Sequence, residues 1–337
     1  MKRWSPGIGG IQASFNVMLL AILSLVGCTK DTLHSQGTDA VSKWNLTSDA
    51  HSSEPSPSDE GRKELTNQRE NSGSVFRYTR YDLPISMVHV VQIPDSSSVD
   101  MTILLADELM TVEQHAQTSG AIAAINAGFF DPNNQRTTSY VTIDGAIVAD
   151  PRDNSRLVSN PDLISYLDAI LNRSEFRHMT CSGQPSFSIA FHRDDLPSPS
   201  CILHDAVGGG PRLLPNLQSV EEGFLSYGVD GHVIRDAIGS LSPNARSAVG
   251  ITETGEIVLA MAAQRPEVGD RTGMSLPELA DFLSSLGVRD ALNLDGGSSS
   301  ALYVDGTMHY GRFDEERTPV QRPVKSVLLI RSRSLSD

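Results

Sequence analysis

The sequence is poor in the residues that build metal clusters and disulfide frameworks. Only three cysteines occur in 337 residues, and no HExxH segment is present. No group of Cys and His has the spacing of a zinc site. These shortages exclude zinc-finger proteins, zinc proteases of the HExxH type and small disulfide-rich domains.

Positive charge is also scarce. The chain has 27 Lys and Arg against 41 Asp and Glu, a formal net charge of −14, and it contains no basic run. Since proteins bind nucleic-acid backbones chiefly through clustered Lys and Arg, this balance excludes a nucleic-acid partner. A small anionic substrate remains compatible with the charge, because a few arginines in a pocket are enough to hold it.

Long apolar runs are missing except near the start. Lys2 and Arg3 precede the run "FNVMLLAILSLVG", which is too short for a comfortable membrane span and is followed at once by Cys28. This pattern predicts an export signal over residues 1–28. Its end, "LVGC", resembles the lipobox of bacterial lipoproteins, which predicts a lipidated Cys28 and anchoring to the cell envelope, at the outer membrane or the periplasmic face. The alternative is an ordinary secretory signal that happens to contain a cysteine.

The next segment, residues 29–73, is rich in Ser, Asp, Glu, Pro and Asn. Such a composition buries too little apolar surface to offset the entropy of ordering, so we expect a disordered tether. A folded domain is predicted over 74–335, in which 152–205 is less regular and is interpreted as a variable elaboration. Cys181 and Cys201 lie in or beside that region. Export favours a disulfide between them, and two free buried thiols are the alternative.

The folded region reads as many strands and few helices. Runs such as "ISMVHVVQI" predict β-strands, and the pairs Asp144-Gly145 and Asp305-Gly306 predict hairpin turns. The clearest helix is "SLPELADFLSSLG", with Ser275 and Glu278 as a capping box and Gly287 as the stop. We therefore expect an α+β fold of mixed β-sheets with few flanking helices, in a single domain.

Four strand-like runs end in small or unusual residues: "NAGFFD", "VGGGP", "NARSAVG" and "NLDGGSSS". One such end is ordinary loop chemistry. Four of them predict strand ends that converge on one cleft, where a rigid sheet positions polar groups.

These segments, together with "GMSLPELADFLSSLG", resemble the phosphodiester glycosidase family in order and spacing from about Val75 to Arg333. Two positions depart from the usual pattern, which has a double glycine where Ala127-Gly128 stands and a Gly-Arg pair where Gln264-Arg265 stands. The resemblance implies hydrolysis of a sugar 1-phosphodiester, with N-acetylglucosamine as the sugar, at the glycosidic bond.

The residues fit that chemistry. A phosphate monoester leaves with little protonation, so two carboxylic acids are less necessary than in ordinary glycoside hydrolysis. Asp295 is the predicted nucleophile or base, and Arg246 the predicted phosphate ligand. The remaining predicted substrate contacts are Asn126, Gly128, Phe130 (or its neighbour Phe129), Gly209, Gly210, Arg265, Asn293, Gly296, Gly297 and Ser298. Four of these residues, Gly209, Gly210, Gly296 and Gly297, are expected to offer free amides to an anion.

Two other functions are compatible with the same residues. The first is a non-catalytic envelope protein that binds a glycan during polysaccharide assembly. The second is a metal-dependent phosphodiesterase, in which Asp295 holds a cation with help from Asp131 or Asp305. The glycosidase requires no cofactor, and a calcium ion is compatible with it.

Overall fold

A computed structural model describes residues 75–333 of the chain. The predicted signal segment 1–28, the lipidation site Cys28 and the tether 29–73 lie outside these residues, so they stay predictions. Within 75–333, no helix is long and apolar enough to cross a membrane.

The described residues form eighteen strands, which in chain order are β1 (Arg77–Asp82), β2 (Ser86–Ile93), β3 (Val99–Met110), β4 (Ala123–Asn126), β5 (Val141–Ile143), β6 (Ala146–Ala149), β7 (Ser174–Cys181), β8 (Gln184–Phe191), β9 (Cys201–Gly208), β10 (Arg212–Leu214), β11 (Leu225–Tyr227), β12 (Val233–Asp236), β13 (Arg246–Thr252), β14 (Ile257–Gln264), β15 (Val288–Asn293), β16 (Ala301–Val304), β17 (Thr307–Tyr310) and β18 (Val324–Ser332). The α-helices are α1 (Val112–Ser119), α2 (Ser155–Val158), α3 (Leu167–Ile170) and α4 (Leu276–Ser285). Short 3₁₀ helices cover Ser96–Ser98, Pro151–Asp153, Ile164–Tyr166 and Gly297–Ser299.

Three larger sheets and one hairpin contain all of these strands. The first sheet has the order β1-β2-β14-β13-β15-β10, the second β17-β16-β4-β18-β3 and the third β6-β5-β9-β7-β8. The expected α+β class, with several sheets and few helices, is confirmed. The single-domain organisation stays a prediction.

The pairing differs from the expected mixture in one respect. Each ladder between the described strands is antiparallel. In the first sheet the helical crossover runs from β14 through α4 to β15, and these two parallel strands do not pair with each other. It places β15 beside β13, and β13 runs antiparallel to both β14 and β15.

The first two sheets pack face to face around a shared core, and each carries a helix on its outer face. Alternation along the strands decides the two faces, because successive side chains point to opposite sides. In β4, Ile125 faces the central core while Ala124 faces α1. In β2, Val91 faces the central core while Val90 faces α4. Phe176 of β7 lies in the same central core, so the third sheet belongs to the same packed unit.

Local sequence chemistry accounts for several elements. Helix α4 begins after Ser275, whose hydroxyl accepts from the amide of Glu278 while the Glu278 carboxylate accepts from the Ser275 amide, so the predicted capping box is present. The hairpins β5–β6 and β16–β17 turn at the predicted Asp-Gly pairs, and Asp144 and Asp305 have φ of 51° and 44°. Such positive φ angles are characteristic of type I′ turns.

The region 152–205 contains β7, β8 and most of β9. Cys181 ends β7, Cys201 begins β9, and a disulfide joins them across a sequence separation of 20 residues. Where the sequence suggested one helix over "PDLISYLDAILN", the structure has a 3₁₀ turn followed by α3. The variability of residues 152–205 among relatives stays a prediction.

Candidate active site

Strand ends converge around Asp295. The amide of Asp295 donates to the carbonyl oxygen of Ala127, just beyond β4, at 2.9 Å. A Cβ atom on Gly128 would lie 3.0 Å from the carbonyl oxygen of Gly208, at the end of β9, and the Gly128 amide donates to Ser326 Oγ at 3.0 Å. The ends of β4, β9 and β15 therefore meet, as the recurring motifs indicate. Gly128 serves close backbone packing there, because a side chain would not fit.

Asn126 holds the turn that carries Asp295. Its side chain is fully buried. Its Nδ2 atom donates to the Asp295 carbonyl oxygen at 2.5 Å, and its Oδ1 atom accepts from Ser247 Oγ at 2.7 Å and from the Ala301 amide at 3.1 Å. The predicted contact with a sugar hydroxyl is therefore replaced by three contacts within the protein. Asn126 is a positioning residue, and its short amide side chain ties three segments to the turn.

The Asp295 carboxylate is half-buried, and burial raises its pKa to about 6. Three neighbours oppose this shift by favouring the charged form, namely the Ser299 hydroxyl, the positive charge of Arg322 and the Gly296 amide. The Gly296 amide is thus turned to Asp295 itself. A carboxyl group with this pKa is ionised at neutral pH yet remains a stronger base than an exposed aspartate, which suits a catalytic base or nucleophile.

Arg322 is a site residue that the sequence reasoning missed. Its Nη1 atom donates to Ser298 Oγ at 2.8 Å, and its guanidinium lies 5.1 Å from the centre of the Phe130 ring. The side chain is half-buried and its charge acts on Asp295. In the sequence its one signal is its place just before β18, the neighbour of β4 in the second sheet.

Arg246, the predicted phosphate ligand, has a different role. Its side chain is buried, and its Nε, Nη1 and Nη2 atoms donate to backbone carbonyl oxygens at 2.6–3.0 Å. These carbonyls belong to Met274 and to Ile238, Gly239 and Ser242 in the loop before β13. A guanidinium committed to four carbonyls is not available to clamp a phosphate, so this prediction is corrected. Arg246 stabilises the loop, with its aliphatic part packed behind Gly296.

The triple-glycine segment also has a structural role. The Gly209 amide donates to Ser174 O at 2.9 Å, and the Gly210 amide donates to Asn293 O at 2.7 Å. The Asn293 side chain is buried and donates back to Gly210 O at 2.7 Å. A Cβ on Gly209 would lie 2.6 Å from Asn293 O. The amides of Gly209 and Gly210, predicted to bind an anion, thus form a tight backbone junction between β9 and β15. Of the Asn293 side chain, only the Nδ2 atom takes part in it, and the substrate contact of Asn293 stays a prediction.

Gly297 lies at the start of the 3₁₀ turn after Asp295. Its amide donates to Ala245 O at 2.8 Å, so it is not free for an anion. A Cβ atom there would lie 4.0 Å from both Arg312 Nη1 and Asn244 Nδ2. Neither of these nitrogens has a hydrogen-bonding partner within residues 75–333. The loop therefore has an available cation and an available amide beside it, which the sequence reasoning did not assign.

Arg265 is engaged by its own surroundings. Its Nε atom donates to Glu267 Oε1 and its Nη1 atom to Leu83 O, both at 2.7 Å. The predicted sugar contact therefore has no support in this arrangement, because the guanidinium is held at the end of the first sheet.

The two phenylalanines after β4 lie in different surroundings, as neighbouring residues of an extended segment do. Phe130 is 8% exposed, belongs to the core beneath α1 and is covered by Arg322. Phe129 is half-buried, with its ring 5.7 Å from that of Phe224. Phe130 therefore supports Arg322 and does not present a free ring face to a sugar.

No group of three or more His, Cys, Asp or Glu side chains is arranged to hold a metal ion in the described part of the chain. The Asp131 carboxylate accepts from Asn133 and pairs with Arg156 at 2.7 Å, and Asp305 lies in the β16–β17 turn. A bound calcium ion stays a prediction, because its ligands can also be backbone and amide oxygens.

Comparison with known proteins identifies the family. The model of one family, described as phosphodiester glycosidase, matches residues 119–331. The chain belongs to the phosphodiester glycosidase family. Its matched region contains each of the strand ends described above, and Asp295 and Arg322 both lie within it.

Individual phosphodiester glycosidases resemble the chain over shorter or more distant matches. The mouse and human proteins named N-acetylglucosamine-1-phosphodiester alpha-N-acetylglucosaminidase are each 38% identical over 65 residues, which is 19% of this chain and 12% of theirs. The chain therefore matches only about an eighth of the length of these relatives.

Two solved structures share the fold. The zebrafish N-acetylglucosamine-1-phosphodiester alpha-N-acetylglucosaminidase catalytic domain, auto-inhibited by its pro-peptide, has a TM-score of 0.56 at 19% identity, covering 80% of this chain and 87% of that one. A hypothetical protein from Synechocystis has a TM-score of 0.51 at 19% identity, covering 77% and 62%. At this identity the likeness shows the architecture of the phosphodiester glycosidases and leaves the chemistry to the site itself.

Proposed function

We propose that this protein hydrolyses a sugar 1-phosphodiester, with N-acetylglucosamine linked to phosphate, at the glycosidic bond. The observation that carries the proposal is that Arg322, bound to Ser298, acts by its charge on half-buried Asp295 at the convergent strand ends of a phosphodiester glycosidase chain. The names of the mouse and human relatives support the choice of sugar.

The chemistry follows from the two charges. Ionised Asp295 supplies an electron pair to the anomeric carbon, either directly, in a glycosyl ester that a water molecule then hydrolyses, or by taking a proton from an attacking water. The bond from the anomeric carbon to the phosphate oxygen breaks, and its electron pair leaves with the phosphate. Because a phosphate monoester is a stable anion at neutral pH, the leaving group needs no strong acid beside it.

Arg322 is suited to hold that leaving group. Its planar guanidinium matches two phosphate oxygens, and one of its nitrogens already shares the Ser298 hydroxyl. The guanidinium also lies over the Phe130 ring, 5.1 Å from its centre, which is within the range of a cation–π contact. We therefore assign to Arg322 the phosphate contact that the sequence suggested for Arg246, and to Ser298 the predicted substrate contact beside it.

The decisive experiment identifies the products. The full-length protein is incubated with an N-acetylglucosamine 1-phosphodiester in water enriched in heavy oxygen, with and without chelator. We expect free N-acetylglucosamine carrying the label and an unlabelled phosphomonoester, with no effect of chelator. Asp295→Asn should lower kcat by about 10²-fold or more. Asp281→Asn, an exposed acid on α4, is the matched control and should leave kcat unchanged.

Two outcomes would replace this proposal. Label in the phosphate, sugar 1-phosphate as product and inhibition by chelator would indicate a metal-dependent phosphodiesterase. Binding of the diester without any turnover, retained in Asp295→Asn, would indicate a glycan-binding protein.

We further propose that this reaction takes place in the bacterial cell envelope, with the protein anchored through lipid on Cys28. The support is the sequence "LVGC" after a short apolar run. Metabolic labelling with a fatty acid and membrane fractionation test the anchor. Cys28→Ala should lose both the label and the membrane association, and label retained in that variant would refute the lipidation site.

A further inference from the structure

A cleft of about 720 Å³ lies beside the candidate active site. One wall is the segment that follows β14, and the other is the segment that follows β17. Its lining residues are Gln264, Pro266, Gly269, Asp270, Thr272, Arg312, Phe313, Asp314, Glu315 and Val320. The volume lies within the range of small-molecule sites and is sufficient for a sugar-sized group.

The cleft adjoins Asp295 through one short loop. Arg312 lines the cleft, and its Nη1 atom lies 4.0 Å from the position of a Cβ on Gly297, two residues after Asp295. Val320 lines the same cleft and its amide donates to Arg312 O at 2.8 Å. Two residues later, Arg322 binds Ser298. The second ester oxygen of a phosphate bound at Arg322 would therefore lie within reach of the cleft.

Hydrogen bonds and a close backbone contact hold the two walls of the cleft in place. The Gln264 amide donates to Gly311 O at 2.8 Å, and Gln264 Oε1 accepts from the Phe313 amide at 3.3 Å. A Cβ on Gly311 would lie 2.6 Å from Ser300 Cβ, so the second wall is pressed against the loop that follows Asp295. These contacts fix the position of the cleft relative to the reacting acid.

The charge of the lining is predominantly negative. Arg312 is its one cation, and its anions are Asp270, Asp314 and Glu315, all three of them exposed. Phe313 adds a half-buried apolar surface, and Thr272 adds a hydroxyl. Exposed carboxylates repel a second phosphate and attract an ammonium group, so this lining discriminates by charge.

The geometry points to this cleft as the site of the alcohol esterified to the phosphate, which is a neutral or amine-bearing alcohol rather than one carrying further phosphate groups. The inference rests on the proposed function and names the substrate class of the same site. It places specificity in the segments 264–272 and 312–320, and it leaves the sugar and phosphate contacts to Asp295, Arg322 and Ser298.

The test compares three substrates that share N-acetylglucosamine 1-phosphate and differ in the esterified group: the methyl ester, the 2-aminoethyl ester and UDP-N-acetylglucosamine. With the full-length protein, kcat/KM for each of the first two should exceed that for the nucleotide sugar by about tenfold or more. In the double variant Asp270→Asn, Glu315→Gln the ratio of aminoethyl ester to nucleotide sugar should fall several-fold. Asp281→Asn should leave that ratio unchanged. Asp314 is left intact, because its carboxylate accepts from the Thr318 amide at 2.7 Å.

The outcomes separate the two proposals. Equal or greater kcat/KM for the nucleotide sugar, or a ratio that the double variant does not alter, overturns the inference while hydrolysis itself stands. If none of the three is hydrolysed, the proposed function fails. Calorimetric titration with the same three compounds then decides the inference, since tighter binding of the aminoethyl ester supports it and equal binding of all three overturns it.

Discussion

Asp295 and Arg246 show how the surroundings decide what a charged residue does. Asp295 lies after the end of β15, where burial raises its pKa to about 6 and the charge of Arg322 partly opposes that rise. Arg246 begins β13, where its donors bind four backbone carbonyl oxygens. One charge is thus available for chemistry and the other holds a loop.

The pKa of Asp295 predicts the acid limb of the pH profile. Because the ionised form acts, kcat/KM should fall as pH decreases through about 6. Arg322→Gln removes a charge that lowers this pKa, so the limb should move to higher pH while KM rises and kcat/KM falls by about 10²-fold or more. Arg322→Lys should restore part of both effects. Steady-state kinetics from pH 4.5 to 9 checks this, with the surface variant Arg331→Gln as control.

If the acid limb of the pH profile stays at the same pH in Arg322→Gln, the charge of Arg322 does not act on Asp295. A normal profile in Arg331→Gln is required for the comparison, because that residue pairs with Asp100 on the surface.

Replacing the Asp295 carboxylate by a neutral amide should raise the stability of the protein by an amount that depends on pH. The folded pKa of Asp295, about 6, lies above the ordinary value of an aspartate, about 3.9. The ionised form therefore opposes folding above pH 6, and this cost vanishes as pH falls below about 4. Asp295→Asn should therefore raise the free energy of unfolding by on the order of 1–3 kcal/mol at pH 8 and by much less at pH 4.5. Chemical denaturation at both pH values measures the difference. An equal effect at the two pH values would contradict the assignment.

At the scale of elements, the site depends on how strand ends are joined. Asn126 closes β4 against the Asp295 turn, and Gly209 allows β9 to touch β15. Both residues are engaged in contacts within the protein. Each determines where the reacting carboxylate lies.

Asn126→Ala tests the positioning role. The change leaves the Ala301 amide and the Asp295 carbonyl without their partner, and it should destabilise the protein by about 2–4 kcal/mol. It should also lower kcat with little change in KM, since the carboxylate is displaced while the phosphate contacts remain. Asn154→Ala is the matched control, because Asn154 is equally buried and contacts Asn134 and Thr137. That control should lose stability and keep its kcat; an equal loss of kcat in both variants would show a general effect of unfolding.

At the scale of the molecule, three sheets share one core, and the disulfide lies at the far end from the site. Cys201 begins β9 and Gly208 ends it, so the eight-residue strand separates them by roughly 23 Å. The cross-link and the reacting acid are therefore independent parts of the fold.

Removing the disulfide should lower stability without lowering activity. For a separation of 20 residues the chain-entropy account gives about 3 kcal/mol. The double variant Cys181→Ser, Cys201→Ser should show this loss in chemical denaturation, while kcat at 25 °C stays within twofold. An unchanged free energy of unfolding would mean that β7 and β9 need no cross-link.

The sequence was most informative where chemistry is local. The capping box of α4, both Asp-Gly hairpins and the acid between a strand and two glycines are each written within a few residues. Strand order is not, because β2 pairs with β14 only after most of the chain has folded back. Arg322 was missed for the same reason: its partner Ser298 is 24 residues away, and nothing near it in the sequence indicates that contact.

The integration of β7, β8 and β9 limits how far this protein can be trimmed. Phe176 and Ile189 contribute to the central core, and the chain leaving β9 forms the floor on which Asn293 rests. Excising residues 152–205 would remove these core side chains, most of β9 and Ser174, whose carbonyl oxygen accepts from the Gly209 amide beside Asn293. A compact engineered version must therefore keep this region and be shortened elsewhere.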